Sequence, residues 1–215
     1  MQINQFIDHT LLKNDATEVE LKQLVKEAVD FNFYSVCVHP YFVPFVQKLS
    51  KGSNLKIGAV AGYPLGMGSL KTKIFEVEEL NRLGIDEIDY VANIALIKSK
   101  AWKELLDELT TVRNTAPGIL IKVIIESSAL TEAEIRLSCQ QIIKANIEFA
   151  KSSTGFYWPG AQLDHIQIMV DELKDTSVKV KASGGIKTYE QAKKFIDLGC
   201  SRIGTSSSVN IVNEN

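Results

Sequence analysis

Two lysines stand out by their settings. Lys151 ends the apolar pair Phe149-Ala150 and is followed at once by Ser152-Ser153-Thr154-Gly155. Lys181 sits thirty residues on, in Val178-Lys179-Val180-Lys181-Ala182-Ser183-Gly184-Gly185. A lysine attacks a carbonyl only as the free amine, and its ordinary pKa is about 10.4. Desolvation and a neighbouring cation both disfavour the ammonium form. Lys151 is therefore a candidate Schiff-base nucleophile, and Lys181 a candidate neighbour that keeps it uncharged. Asp89, in Glu87-Ile88-Asp89-Tyr90-Val91, can move protons during carbinolamine collapse and carbon–carbon cleavage. On this pattern alone, a purely structural Asp–Lys pair stays open beside amine catalysis.

Such a constellation needs elements that bring distant residues together. Short β-branched runs at residues 6–10, 34–38, 56–61, 87–91, 120–125, 149–151, 178–182 and 202–204 read as eight strands. Helical periodicity separates most of them, and Thr17-Glu18-Val19-Glu20, Thr131-Glu132-Ala133-Glu134 and Thr188-Tyr189-Glu190-Gln191 have capping-box spacing. Alternating strand and helix predicts an α/β chain with a parallel sheet. Eight units suggest a closed (β/α)8 TIM barrel formed by residues 1–215 as a single domain, with a doubly wound open sheet as the competing architecture. Strand side chains alternate in direction. Asp89, Lys122, Lys151 and Lys181 then point into the barrel, while Ile88, Tyr90, Val123, Ile125, Ala150 and Val180 face the helices. Lys179 shares the inward direction of Lys181, nearer the other end. Isolated buried charges are costly, so these must pair or shift their pKa values.

Two glycine-rich segments follow the last two strands: Ser183-Gly184-Gly185 and Gly204-Thr205-Ser206-Ser207-Ser208. Backbone N–H groups at such turns cradle anions, and barrels of this type often bind phosphate there. An ordinary turn is the plain reading of either segment alone.

The bulk numbers exclude several classes. A net charge of −2 with no basic face argues against a nucleic-acid partner. No apolar run approaches the roughly 18 residues of a membrane span, and the N-terminus lacks a signal-peptide pattern. Cys37, Cys139 and Cys200 are sparse and form no CxxC pair, which points to a reducing cytoplasm and away from a disulfide framework. His9, His39 and His165 have no metal-ligand spacing, so no metal is expected. Cys37 reads as a small core thiol or a pocket residue. Asp8 and Thr10 open the barrel, either ordering water and substrate hydroxyls or serving the scaffold. Lys122 either sets the field around Lys151 or pairs with Asp89. Thr154 is a candidate support for the nucleophile. Trp158 covers the site or anchors the surface.

The stretches Ile7-Asp8-His9-Thr10-Leu11-Leu12-Lys13, Gly84-Ile85-Asp86-Glu87-Ile88-Asp89, Lys122-Val123-Ile124-Ile125-Glu126, Lys151-Ser152-Ser153-Thr154-Gly155-Phe156, Val180-Lys181-Ala182-Ser183-Gly184-Gly185-Ile186 and Arg202-Ile203-Gly204-Thr205-Ser206-Ser207 together resemble the deoxyribose-phosphate aldolases. That resemblance runs nearly end to end. It implies a class I aldolase on a (β/α)8 barrel, with Lys151 as Schiff-base lysine and Asp89 and Lys181 as its proton-transfer and tuning partners. Gly184, Gly185, Gly204, Ser206 and Ser207 would hold the substrate phosphate. It further implies cleavage of 2-deoxy-D-ribose 5-phosphate to acetaldehyde and D-glyceraldehyde 3-phosphate, no cofactor, and a homodimer. The chain departs from the pattern at His39, Met67-Gly68-Ser69-Leu70, Tyr157-Trp158-Pro159-Gly160-Ala161 and Lys187. Two other functions compete: another Schiff-base aldolase with a changed donor or acceptor, and a non-catalytic sugar-phosphate binding protein.

Overall fold

The computed structural model describes residues 2–214. Eight parallel strands alternate with helices: β1 (Ile7–Leu11), α1 (Glu18–Asp30), β2 (Ser35–Val38), α2 (Val43–Leu49), β3 (Lys56–Ala61), α3 (Leu70–Leu83), β4 (Glu87–Val91), α4 (Ile94–Lys98), α5 (Trp102–Thr115), β5 (Leu120–Ile124), α6 (Glu132–Lys144), β6 (Phe149–Lys151), α7 (Leu163–Leu173), β7 (Lys179–Ser183), α8 (Tyr189–Asp197), β8 (Arg202–Thr205) and α9 (Ser208–Asn213). Each strand pairs with the next in sequence. β8 returns to β1 through Ile7↔Ile203, Asp8↔Gly204 and His9↔Thr205. That last pairing closes the barrel and rules out the open sheet.

The local signals act as their chemistry requires. Thr17, Thr131 and Thr188 each accept the N–H three residues on, and the Glu or Gln at that position binds back, so all three capping boxes form. Two short helices escape the periodicity. Five-residue α4 starts where Asn93 accepts the Ala95 N–H, and six-residue α9 follows β8 after Ser206 and Ser207.

Alternation sorts the strand residues into two environments. Ile88, Tyr90, Ile121, Val123, Ala150, Val180 and Ile203 pack outward with helix residues such as Leu80, Leu105, Leu109, Ile142 and Met169. Inside, the layers are mixed. Val60, Val91, Ile124 and Phe149 are buried there with polar and charged groups. Register places Asp89 beside Lys122, and Lys151 between Ile124 and Lys181. Arg202 lies over the Tyr34 ring, 3.2 Å from its centroid, at the start of its strand. Lys179, first residue of β7, is exposed.

Candidate active site

Asp89 is the hub. Its Oδ2 accepts from Lys151 Nζ at 2.7 Å and from Lys181 Nζ at 2.8 Å, and its Oδ1 from Lys122 Nζ at 2.9 Å. The contacts extend downward. Lys181 also reaches Asp8 Oδ2 at 2.5 Å, and Lys122 reaches Glu87 Oε2 at 2.6 Å. Arg202 bridges Asp8 at 2.8 Å and Glu87 at 3.2 Å, and the Ser35 hydroxyl donates to Asp8 at 2.7 Å. Three carboxylates thus face four cations, all of them buried.

The cations are tuned apart. Burial pushes the Lys151 amine below its ordinary pKa; Asp89 opposes this, and the Lys181 charge reinforces it. Burial would lower Lys181 too, but Asp8 and Asp89 outweigh it and hold Lys181 above the ordinary lysine range. Lys122 is held well above that range against burial by Asp89, Asp8 and Glu87. Burial alone would raise the Asp89 carboxyl, yet Lys122, Lys151 and Lys181 keep it well below the usual carboxylate range. Asp8 is likewise held low, with burial overcome by Lys181, Lys122 and Arg202. Lys151 is the one cation of the network biased towards its neutral form.

A cavity of about 690 Å³ opens at the C-terminal ends of the strands, where barrels of this type place their sites. Among the described residues of the network, only Lys151 lines it; Asp89, Lys122 and Lys181 lie beneath. Thr10, His39, Tyr63, Pro64, Thr154 and Phe156 contribute to its wall. Gly184, Gly185, Gly204 and Ser206 also line it, together with Lys187. Ser207 does not; its N–H donates to Thr205 Oγ1 at 2.9 Å.

Local chemistry explains how these segments are held. After Lys151, the Ser152 hydroxyl donates to the Ser183 carbonyl (3.3 Å) and accepts the Ser183 N–H (3.1 Å), locking the ends of β6 and β7 together. Ser183 Oγ donates to the Ser153 carbonyl at 2.6 Å. Thr205 Oγ1 donates to the Ile186 carbonyl at 2.7 Å, joining the two glycine-rich turns. Gly184, at φ 91°, accepts the Ala161 N–H at 3.1 Å, and a Cβ there would stand 3.1 Å from Gly160 Cα. Gly204 has a different duty. A Cβ at that position would lie 2.9 Å from Lys181 Cε, so its bare backbone gives the lysine stem its path.

The remaining predicted residues find definite places. Of the two roles weighed for Lys122, the pairing with Asp89 is present, at 2.9 Å. Asp8 belongs to the buried network, and Thr10 Oγ1 donates to the Asp8 carbonyl at 2.9 Å. Cys37 Sγ is buried 3.9 Å from Asp89 Oδ2 and does not line the cavity; burial, with Asp89, pushes its thiol up to about 12. Trp158 is 84% exposed and, unlike Phe156, does not line the cavity. His9 spends its ring nitrogens on Ser208 and Glu27, and His39 binds the Leu12 carbonyl. Glu87, Glu126 and Arg202 take part without a sequence assignment, and Ser183 and Thr205, known from sequence only as members of the glycine-rich segments, act through their side chains. Alternation puts Glu87 on the face of Asp89 and Arg202 on that of Gly204, so the signal for those two was present.

Fold and site together define a (β/α)8 barrel built around a buried, deprotonatable lysine. The profile of the DeoC/LacD family aldolases matches residues 3–208, and the chain belongs to that family. It is 42% identical over 212 residues to deoxyribose-phosphate aldolase 1 of Mesoplasma florum, covering 99% of this chain and 96% of that one. It is 43% identical to the deoxyribose-phosphate aldolase of Caldicellulosiruptor saccharolyticus, covering 99% and 98%. Among solved structures, the tetrameric deoxyribose phosphate aldolase of Aeropyrum pernix superposes with a TM-score of 0.92 at 29% identity, covering 98% of this chain and 89% of that one.

Proposed function

We propose that this chain, as one barrel domain, is a class I aldolase that reversibly cleaves 2-deoxy-D-ribose 5-phosphate to acetaldehyde and D-glyceraldehyde 3-phosphate. The observation that carries this is the Asp89 carboxylate held 2.7 Å from an amine biased towards neutrality and 2.8 Å from one biased towards charge. The two curated relatives bear the name of this activity.

The Lys151 amine adds to the C1 aldehyde of the open-chain sugar, and loss of water from the carbinolamine gives an iminium. The C2–C3 bond then breaks, and its electron pair moves into the iminium to form an enamine. The C3 hydroxyl loses its proton and becomes the aldehyde of glyceraldehyde 3-phosphate. C2 of the enamine takes up a proton, and water hydrolyses the resulting iminium to acetaldehyde and free amine. Lys181 is the proton reservoir in this scheme, and Asp89 relays between it and Lys151. Gly184, Gly185, Gly204, Ser206 and Ser207 are the proposed phosphate contacts. Support comes from the first four lining the same cavity as Lys151, with the Lys187 cation beside them.

The test is borohydride reduction in the presence of acetaldehyde, read by peptide mass. A reduced two-carbon adduct is expected on the peptide holding Lys151. Folded protein that forms no adduct removes the aldolase assignment, and an adduct on Lys181 reverses the two roles. One feature favours a second reading, an aldolase with a changed donor or acceptor: Phe156 lines the cavity and continues into exposed Tyr157 and Trp158. A panel of acetaldehyde, acetone and dihydroxyacetone as donors separates the two. The assembly we favour is a homodimer, testable by light scattering across a dilution series. The compartment we favour is the cytoplasm, supported by the three free, buried cysteines.

A further inference from the structure

Among the described residues, four that are not glycine have positive φ: Asn32, Lys100, Glu126 and Asn146. Asn32, Lys100 and Asn146 each stand two residues past a helix end, where left-handed closure is ordinary. Glu126 instead follows a strand, at φ 51° and ψ 59°. The chain on either side of it stays zipped to β6, through Ile125 N–H to the Lys151 carbonyl (3.1 Å) and Ser127 N–H to the Ser152 carbonyl (2.7 Å). Between these bonds the left-handed residue carries the Glu126 carboxylate to Thr154. There Oε2 accepts both the Thr154 N–H (3.2 Å) and its hydroxyl (2.5 Å). Oε1 is buried and has no partner among the described residues. A half-satisfied buried carboxylate on a disfavoured backbone is the sort of local sacrifice that clusters at functional sites.

Thr154 passes the constraint on. Its hydroxyl accepts the Phe156 N–H at 3.1 Å, and its carbonyl accepts the Tyr63 hydroxyl at 3.1 Å. Thr154, Phe156 and Tyr63 all line the cavity that holds Lys151, and Glu126 does not. Lys151 Nζ gives its close contact to Asp89.

We propose that Glu126 is a positioning residue for substrate binding: through Thr154 it fixes Tyr63 and Phe156 as one wall of the cavity above Lys151. This rests on the aldolase reading of Lys151 and adds to it the device that sets the cavity's width. Burial raises the Glu126 carboxyl above its ordinary pKa, while the Thr154 bonds and the Lys151 charge pull it back, in keeping with a carboxylate held for its geometry.

The experiment compares Glu126→Gln, Thr154→Val, Thr154→Ser and the Glu126→Gln/Thr154→Val double variant with the parent enzyme. Three readouts are taken: KM and kcat for 2-deoxyribose 5-phosphate, the rate of borohydride trapping of acetaldehyde on Lys151, and the thermal melt. Glu126→Gln keeps an acceptor oxygen but loses its charge, so KM is expected to rise about fivefold to tenfold, the difference between a charge-assisted and a neutral hydrogen bond. Acetaldehyde trapping should stay within about threefold of the parent, because it reads the Lys151 amine and its contact with Asp89, which Glu126 does not touch. The double variant should be no worse than Thr154→Val alone, since both act through one contact, and Thr154→Ser should recover most of the loss seen in Thr154→Val. A parent-like KM in folded Glu126→Gln overturns the proposal. So do losses that add in the double variant, or slowed trapping with KM unchanged. If Glu126→Gln does not fold, the pair at Thr154 decides: a parent-like KM in Thr154→Val overturns the proposal, and a raised KM recovered by serine supports it. A parent enzyme with neither adduct nor cleavage removes the aldolase reading and this inference together, whereas an active parent with an unaffected Glu126→Gln removes this inference alone.

Discussion

Replacing Lys181 with methionine asks directly what keeps Lys151 reactive. Both nitrogens lie on Asp89 Oδ2, at 2.7 and 2.8 Å, so they are separated by at most the sum of those distances, about 5.5 Å. Two unit charges at that separation repel by about 3 kcal/mol at an effective dielectric of about 20. That energy corresponds to roughly a hundredfold in the fraction of Lys151 present as free amine. Removal of Lys181 also leaves Asp8 and Asp89 short of a cation, which draws charge onto Lys151 and adds to the effect. Lys181→Met should therefore lose about a hundredfold or more in kcat/KM near pH 7. The sign with pH follows from the group involved. Activity rises with pH as Lys151 loses its proton, and the variant moves this rise to higher pH. The deficit should shrink steadily between pH 7 and pH 10. A pH series of kcat/KM, with circular dichroism to confirm folding, makes the measurement. A deficit equally deep at pH 7 and pH 10 would refute the tuning argument and leave Lys181 as an acid only; a loss under threefold would refute both roles.

Asp89→Asn leaves Lys122, Lys151 and Lys181 without their shared carboxylate, and breaking a buried ion pair by removing one partner costs about 3–5 kcal/mol; denaturant titration should register that loss, and turnover should fall with it. Gly204→Ala places a Cβ 2.9 Å from Lys181 Cε, so kcat should drop about tenfold or more while a folded barrel remains, and unchanged kcat would show that the lysine has another path. Cys37, with its thiol pushed up to about 12 by burial, should resist iodoacetamide in the native protein at pH 7.5 and react after denaturation, as read by mass. Because Asp8 and Asp89 have depressed carboxyl pKa values when folded, their stabilisation is complete above about pH 4 and is lost as pH falls towards those values, so urea midpoints should be level from pH 5 to 7 and decline below pH 4.

The period-two pattern carried much of the site. It put Asp89, Lys122, Lys151 and Lys181 inside the barrel, and the contacts place all four together. It applies equally to Glu87 and Arg202, yet these open their strands, where a sequence reading sees a boundary. Their meaning depends on partners across the barrel: Arg202 meets Asp8, 194 residues away, and Glu87, 115 residues away. Closure was legible only through the count of eight units and not through periodicity, because the β1–β8 pairing joins the two ends of the sequence and leaves no local trace. Glu126 escaped for a different reason. A left-handed residue after β5 breaks the alternation, so its side chain goes where no strand rule sends it. The Ser152–Ser183 lock was visible only as two small hydroxyl residues, each shortly after a lysine.

Charge balance joins these parts into one device. Asp8, Glu87 and Asp89 supply three carboxylates in an interior closed to water, and Lys122, Lys181 and Arg202 match them one for one. Lys151 is the fourth cation to arrive, and protonating it leaves a net positive charge in a region where uncompensated charge is costly. The deeper residues therefore have a functional consequence although only Lys151 lines the cavity. Losing any one of the three other cations should push a proton onto Lys151, and losing a carboxylate should do the reverse while weakening the fold. Arg202 provides a long-range case, since it touches Asp8 and Glu87 but not Lys151. Arg202→Met should lower kcat/KM at pH 7 by less than Lys181→Met does, with part of the loss recovered at higher pH. If Arg202→Met leaves the pH profile where it was, the balance is local to Asp89 and the lower layer serves stability alone.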